Sequence, residues 1–172
     1  MDFGMVVHQR PYDFVLPESP DLPVADGTEL VPYDALYASM QAHVRPYIEI
    51  MGRVRSATRA RVFHIEAPPP RKTEIVATQD PAWSDFFGRD SVISPAWLRY
   101  KLWRLHSIIV SGYCREADIV FVPHPGNSTD ACGFLAPAFC GNPGHANQDY
   151  GALVLVQMQE LACGERESCA AR

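Results

Sequence analysis

Apolar residues recur at helical spacing in three stretches of this chain and form short unbroken runs in two others. From Pro32 onward, Leu36, Met40, Val44, Tyr47, Ile48 and Met51 fall on one helix face. Pro32 suits a first turn. Pro46 would remove an interior hydrogen bond, so the pattern predicts a kink or break near Ala42–Arg45. A second stripe, Leu98, Leu102, Leu105, Ile109 and Tyr113, follows Ser94-Pro95, a capping hydroxyl and then a proline at the first helical position. It predicts a helix running to about Glu116. The third stripe, Tyr150, Leu153, Val154, Met158 and Leu161, predicts a helix from about Gln148 to Ala162, with Asn147 as N-cap and Asp149 in the first turn.

Between these helices lie "RVFHIEA" (Arg61–Ala67), a short strand ended by Pro68–Pro70, and "DIVFVP" (Asp118–Pro123), the near-continuous apolar run of a strand buried on both faces. The order helix, strand, helix, strand, helix predicts an α/β layer fold with a parallel sheet. Two parallel strands are too few for a stable sheet, so either the amino-terminal segment adds a strand or part of the sheet is missing. Residues 1–31 are proline-rich and read as an irregular surface segment, with a short strand near Phe14–Leu16 and a weaker one at "MVV". Residues 163–172, "CGERESCAAR", read as a frayed polar tail. The whole chain, 1–172, is expected to be one domain, since 172 residues bury roughly two-thirds of their unfolded surface.

Composition narrows the function classes. A hydrophobic fraction of 47% and a charged fraction of 20% are ordinary for a soluble globular protein. The net charge is −5, and the arginines of "MGRVRSATRARVF" read as a solvated helix face, so nucleic acid is not an expected partner. No apolar run approaches the roughly 20 residues that span a bilayer. "MDFGMVVHQRPYDF" has neither the basic start nor the apolar stretch of a secretory leader. A cytoplasmic location without membrane association is therefore expected. Five cysteines, an odd count with no C-x-x-C pair, agree with a reducing compartment; two of them, Cys163 and Cys169, fall in the tail.

In α/β sheets ligands gather beyond the carboxyl ends of the strands. Two loops leave those ends here, Pro68–Ile93 and His124–Asn147. The second concentrates His124, Asn127, Ser128, Asp130, Asn142 and His145. His124, Cys132, Cys140 and His145 are the right residue types for tetrahedral zinc. Their H-x7-C-x7-C-x4-H spacing is not that of a chelating pair, and the cysteines flank "GFLAPAF", which reads as packing, so neither a metal nor a cofactor is expected. Glu66, at the end of the first strand, points toward the same edge, whereas His64 reads as a satisfied or half-exposed strand histidine. Trp83, Phe86 and Phe87 either cover the core or line an acyl or sugar pocket. On the second helix Trp103 reads as a partial core contact and His106 as helix surface.

The stretch "GNPGHANQDYGALVL" (Gly141–Leu155), after a strand and at the start of the last helix, resembles the final block of SGNH/GDSL-type hydrolases. "RPYDFVLPESPDLP" and "VFHIEAPPP" are similar to a bacterial subgroup of such proteins. The resemblance implies a three-layer, flavodoxin-like α/β fold with a parallel sheet. It covers the later half of the family, so the amino-terminal part of that fold is lacking. It further implies hydrolysis of a small ester or acylated substrate through a serine-type mechanism, with His145 as general base. Asn142 stands three residues earlier, where the family has aspartate. Its amide oxygen orients an imidazole but adds no charge to steady an imidazolium.

The family's G-D-S nucleophile motif has no counterpart in place. "GRDSV" holds Asp90 and Ser91 in mid-chain with its glycine displaced, and Ser128 in "PGNSTD" is the hydroxyl nearest His145 by loop topology. Neither sits on a strand-to-helix elbow. Glu66, Ser128, Asn127 and His124 are the expected substrate-binding residues. The competing expectation is a non-catalytic interaction module derived from a degenerate hydrolase half. Such a half would expose a sheet edge and an apolar face, favouring a homo-oligomer or a partner that supplies the missing amino-terminal part.

Overall fold

Three long helices dominate the structure, which is a computed structural model describing residues 7–8, 11–72, 92–141 and 145–170, of which 7–8, 92–93 and 163–170 as backbone only. Helix α1 (Tyr33–Ala57) buries Met40, Val44 and Met51. Leu36 and Ile48 are partly buried, and Tyr47 stands 43% exposed at the edge of the stripe. Pro32 is its N-cap rather than a first-turn residue, and the helix passes Pro46 without the expected break. Ala42 and Pro46 both face solvent, so water can satisfy the Ala42 carbonyl that loses its N–H donor.

Helix α2 (Ala96–Glu116) ends where its periodicity does, but its start differs in detail. Pro95 is the N-cap and the Ser94 hydroxyl makes no cap bond. Ser94 is buried instead, its carbonyl accepting from Arg99 Nε at 2.9 Å. Leu98, Leu102, Leu105 and Ile109 join Met40, Val44, Phe14 and Leu16 in the main core. Trp103, expected as a partial contact, is buried to 1%. Helix α3 (Gln148–Ala170) continues eight residues past its expected end, through most of the anticipated frayed tail. Tyr150 and Val154 are buried; Leu155 and Val156, off the stripe, are exposed.

Among the described residues the strands are short and lie in three separate pairs. β1 (Val7–His8) runs antiparallel to β5 (Val92–Ile93), and β2 (Tyr12–Asp13) parallel to β3 (Glu29–Leu30). β4 (Phe63–Ile65) runs parallel to β6 (Val120–Val122), with Phe63 opposite Val120 and Ile65 opposite Val122. The amino-terminal segment thus adds no strand to the β4–β6 pair among the described residues. β6 is fully buried only at Val122, with Val120 and Phe121 half-buried, so it is not covered on both faces as its composition suggested. Ile65 of β4 is likewise 44% exposed. In coarse terms the described residues form a mixed α/β arrangement with small parallel sheets and three helices.

The proline-rich segment before α1 is irregular but not superficial. Phe14 and Leu16 are buried in the core, and Asp13 is buried beside Lys101 of α2. Lys101 Nζ pairs with Asp13 Oδ1 and also donates to the carbonyls of Phe14 (2.8 Å) and Pro23 (3.1 Å). Three acceptors match the three protons of an ammonium group, which is how a fully buried lysine is tolerated. No described helix is long and apolar enough to cross a membrane.

Candidate functional site

Both parallel strands end in segments that proline holds stiff. β4 continues as Glu66-Ala67-Pro68-Pro69-Pro70, and β6 as Pro123-His124-Pro125. Proline fixes its own φ and confines the residue before it to extended backbone. Pro125 thus keeps His124 extended as it leaves β6, and the register between β4 and β6 brings Glu66 alongside it. The Glu66 N–H donates to the Val122 carbonyl at 2.9 Å, tying the carboxylate's own backbone to β6.

The two side chains then meet. Glu66 Oε2 accepts from the His124 backbone N–H at 2.9 Å and lies 2.8 Å from His124 Nδ1. The Glu66 side chain is 5% exposed and that of His124 22%. Burial by itself would push the Glu66 carboxyl up. The bonds from His124 and the Ser107 hydroxyl facing the carboxylate outweigh burial, and the group is held below the ordinary carboxylate value. Ser107 is itself buried, and its hydroxyl completes no hydrogen bond of normal geometry among the described residues. Tyr150 Oη is buried without a hydrogen-bond partner among the described residues, and burial plus the Glu66 charge push its hydroxyl up to about 12. The Trp103 ring meets the His124 ring edge-on at 5.3 Å, and its Nε1–H donates to the Ala67 carbonyl at 2.9 Å. Trp103 and Ser107 are one helical turn apart on α2, so a single helix face braces the imidazole and faces the carboxylate.

Beyond His124 the chain folds onto itself. Ser128, at the end of a 3₁₀ turn (Gly126–Ser128), is fully buried and donates its Oγ proton to the Pro125 carbonyl at 2.6 Å. Asn127 on the same turn is exposed. Asp130 Oδ1 accepts from the backbone N–H groups of Cys132 and Phe134, closing a turn that Gly133 completes with φ +87°. A positive φ and the close Tyr100 ring both call for glycine there. Phe134 packs between Trp97 and Tyr100.

His145 lies on the return of a narrow loop and is exposed. Cys140 bridges Ala146, the Gly141 N–H donates to the His145 carbonyl at 3.0 Å, and the Asn147 N–H donates to the Phe139 carbonyl at 2.9 Å. Asn147 is the N-cap of α3, its Oδ1 accepting from the N–H groups of Asp149 and Tyr150 at 3.1 Å each. Its amide nitrogen donates to the Ala138 carbonyl at 2.8 Å, fastening the helix start to the loop. Arg71, from the proline segment, donates to the Gly141 carbonyl. A cavity of about 460 Å³ opens beside this link, lined by Arg71, Lys72, Asp130, Leu135, Pro137 and Cys140.

Of the residues singled out in the sequence, the structure joins Glu66 and His124 directly. It leaves His145 exposed on the same loop and turns the Ser128 hydroxyl inward. Asn142, Ser91, Trp83, Phe86 and Phe87 lie outside the described residues. His124, Cys132, Cys140 and His145 do not converge, and no three potential metal-binding side chains do among the described residues. His64 is satisfied as expected: Tyr47 Oη lies 3.0 Å from its Nδ1 and Phe121 stacks on its ring. Burial holds its imidazole below the ordinary histidine value, the Glu66 charge partly offsetting this. Ser107 and Tyr150 were not anticipated as site groups. A lone serine one turn beyond a tryptophan, on an otherwise apolar helix face, was the available signal for the first; Tyr150 looked like any other stripe residue. No family model, curated protein or solved structure matches the chain.

Proposed function

We propose that this chain is an SGNH/GDSL-like domain that hydrolyses a small ester or acylated substrate, with His145 as general base and Asn142 orienting it. The observation that supports this most is the placement of His145. It is exposed in the loop leaving the carboxyl end of a parallel strand, two residues before the N-cap of the last helix. A base in that position can take a proton from a hydroxyl nucleophile held beyond the sheet edge. Glu66 and His124 lie at the carboxyl ends of the parallel β4–β6 pair.

The test is turnover of short p-nitrophenyl esters by the purified chain, together with labelling by a fluorophosphonate probe. Turnover and labelling that are both lost in His145→Ala support the reading. A chain that neither turns over these esters nor takes the label refutes it. One observation favours the second reading, a non-catalytic module built on the same half-sheet: the Ser128 hydroxyl is buried and committed to the Pro125 carbonyl, so it is not poised as a nucleophile.

A further inference from the structure

We propose that His124 is a second proton-accepting group of this site, presenting its Nε2 to a water molecule while Glu66 positions the ring through Nδ1. A carboxylate oxygen 2.8 Å from Nδ1 that also accepts the His124 backbone N–H requires a donor at Nδ1. The neutral ring is therefore the Nδ1–H tautomer, and Nε2 carries the lone pair. None of the described residues hydrogen-bonds Nε2. The ring keeps 22% of its side-chain surface open, while the carboxylate behind it is closed off by Ser107 and the β6 backbone. Pro125 confines the His124 backbone to extended geometry, and the ring is contacted edge-on by Trp103 and bonded through Nδ1 to Glu66. This is the pattern of a buried acid orienting a partly exposed imidazole, arising here independently of His145.

The chemical step follows from that tautomer. Water loses a proton to Nε2, its O–H electron pair remains on oxygen, and the resulting imidazolium is balanced by the ionised Glu66 carboxylate. The oxygen then attacks an acyl carbonyl to give a tetrahedral adduct; its collapse breaks the bond to the alkoxide that carried the acyl group, and the His124 imidazolium returns its proton to that leaving oxygen. In a serine-type cycle that water is the one that releases the acyl group. The inference rests on the hydrolase reading for what the water attacks, and on the geometry of the pair alone for which nitrogen accepts the proton.

Two measurements on the full chain separate these. Long-range nitrogen-15 NMR of the histidine rings should show His124 as the Nδ1–H tautomer when neutral; an Nε2–H ring overturns the proposal whatever the activity. In the ester assay His124→Gln should keep fluorophosphonate labelling and the initial burst of p-nitrophenol, and lose about 10²-fold in steady-state turnover. His145→Ala should lose labelling as well. Glu66→Gln, which keeps the shape and an acceptor oxygen, should slow turnover in the same selective way without affecting labelling. Unchanged steady-state turnover in folded His124→Gln overturns the proposal while leaving the hydrolase reading intact. A parent chain with neither labelling nor turnover overturns the hydrolase reading and the water step together.

Discussion

Replacing Lys101 with methionine should be among the most destabilising single changes in this chain. Methionine retains much of the apolar stem while deleting the charge, so packing is nearly conserved and the electrostatic loss is isolated. Lys101 is fully buried and Asp13 is 1% exposed. Removing the cation leaves a buried carboxylate without its counter-ion, a change worth about 3–5 kcal/mol. Two backbone N–H groups, Phe14 at 2.8 Å and Ala25 at 2.9 Å, still bond that carboxylate and place the cost toward the lower end. The Phe14 and Pro23 carbonyls lose their donor at the same time, adding about 1 kcal/mol between them. A total of about 4 kcal/mol is a large share of the roughly 5–15 kcal/mol that holds a domain folded. In urea titrations followed by tryptophan fluorescence, a slope of about 2 kcal/mol per molar converts this into a midpoint about 2 M lower. The double variant Asp13→Asn/Lys101→Met, which removes both charges, should regain part of the loss. A loss below about 1 kcal/mol in Lys101→Met, or a double variant less stable than the single one, would refute the reasoning.

Two further outcomes test the site's supports. The Glu66 carboxyl is held below its ordinary value of 4.5, so its ionised form stabilises the folded state above that pH, and the contribution disappears as pH falls through the folded value. The stability difference between the parent and Glu66→Gln should therefore be constant near neutrality and shrink in acid denaturation curves as the pH falls below 4.5; a difference that grows in acid contradicts the assignment. Asn147→Ala removes two cap bonds and the Ala138 link, and should cost about 1 kcal/mol in thermal melts, with faster proteolysis near the His145 loop. Unaltered melting would show that the loop is fastened elsewhere.

The helices were legible because each carries its own period, and Leu98 to Ile109 is clear enough to give the end of α2 to the residue. Their first turns were not. Ser94 and Pro32 looked like a cap and a first-turn proline, but in each case proline itself took the N-cap position, and the Ser94 backbone bonded the Arg99 side chain. Strand pairing depends on partners far along the chain. The apolar run at β6 therefore indicated a strand without revealing that it has a single described neighbour. Burial of Asp13 was invisible for the same reason, since its partner lies 88 residues away by number, at Lys101. At the site, Glu66 and His124 were each marked by position at a strand end. Their contact required knowing that the strands are adjacent and in register. Ser107 and Tyr150 contribute through distance alone, which composition does not encode.

The proline segments leaving β4 and β6 have a kinetic consequence. Where prolines limit the backbone around an acid and an imidazole that already bond each other, little is left to order when a ligand arrives. Association at this edge should then be a single bimolecular step, with observed rates rising linearly with ligand concentration and no plateau from a slow isomerisation. Selectivity among ligands would consequently reside in how fast each one leaves.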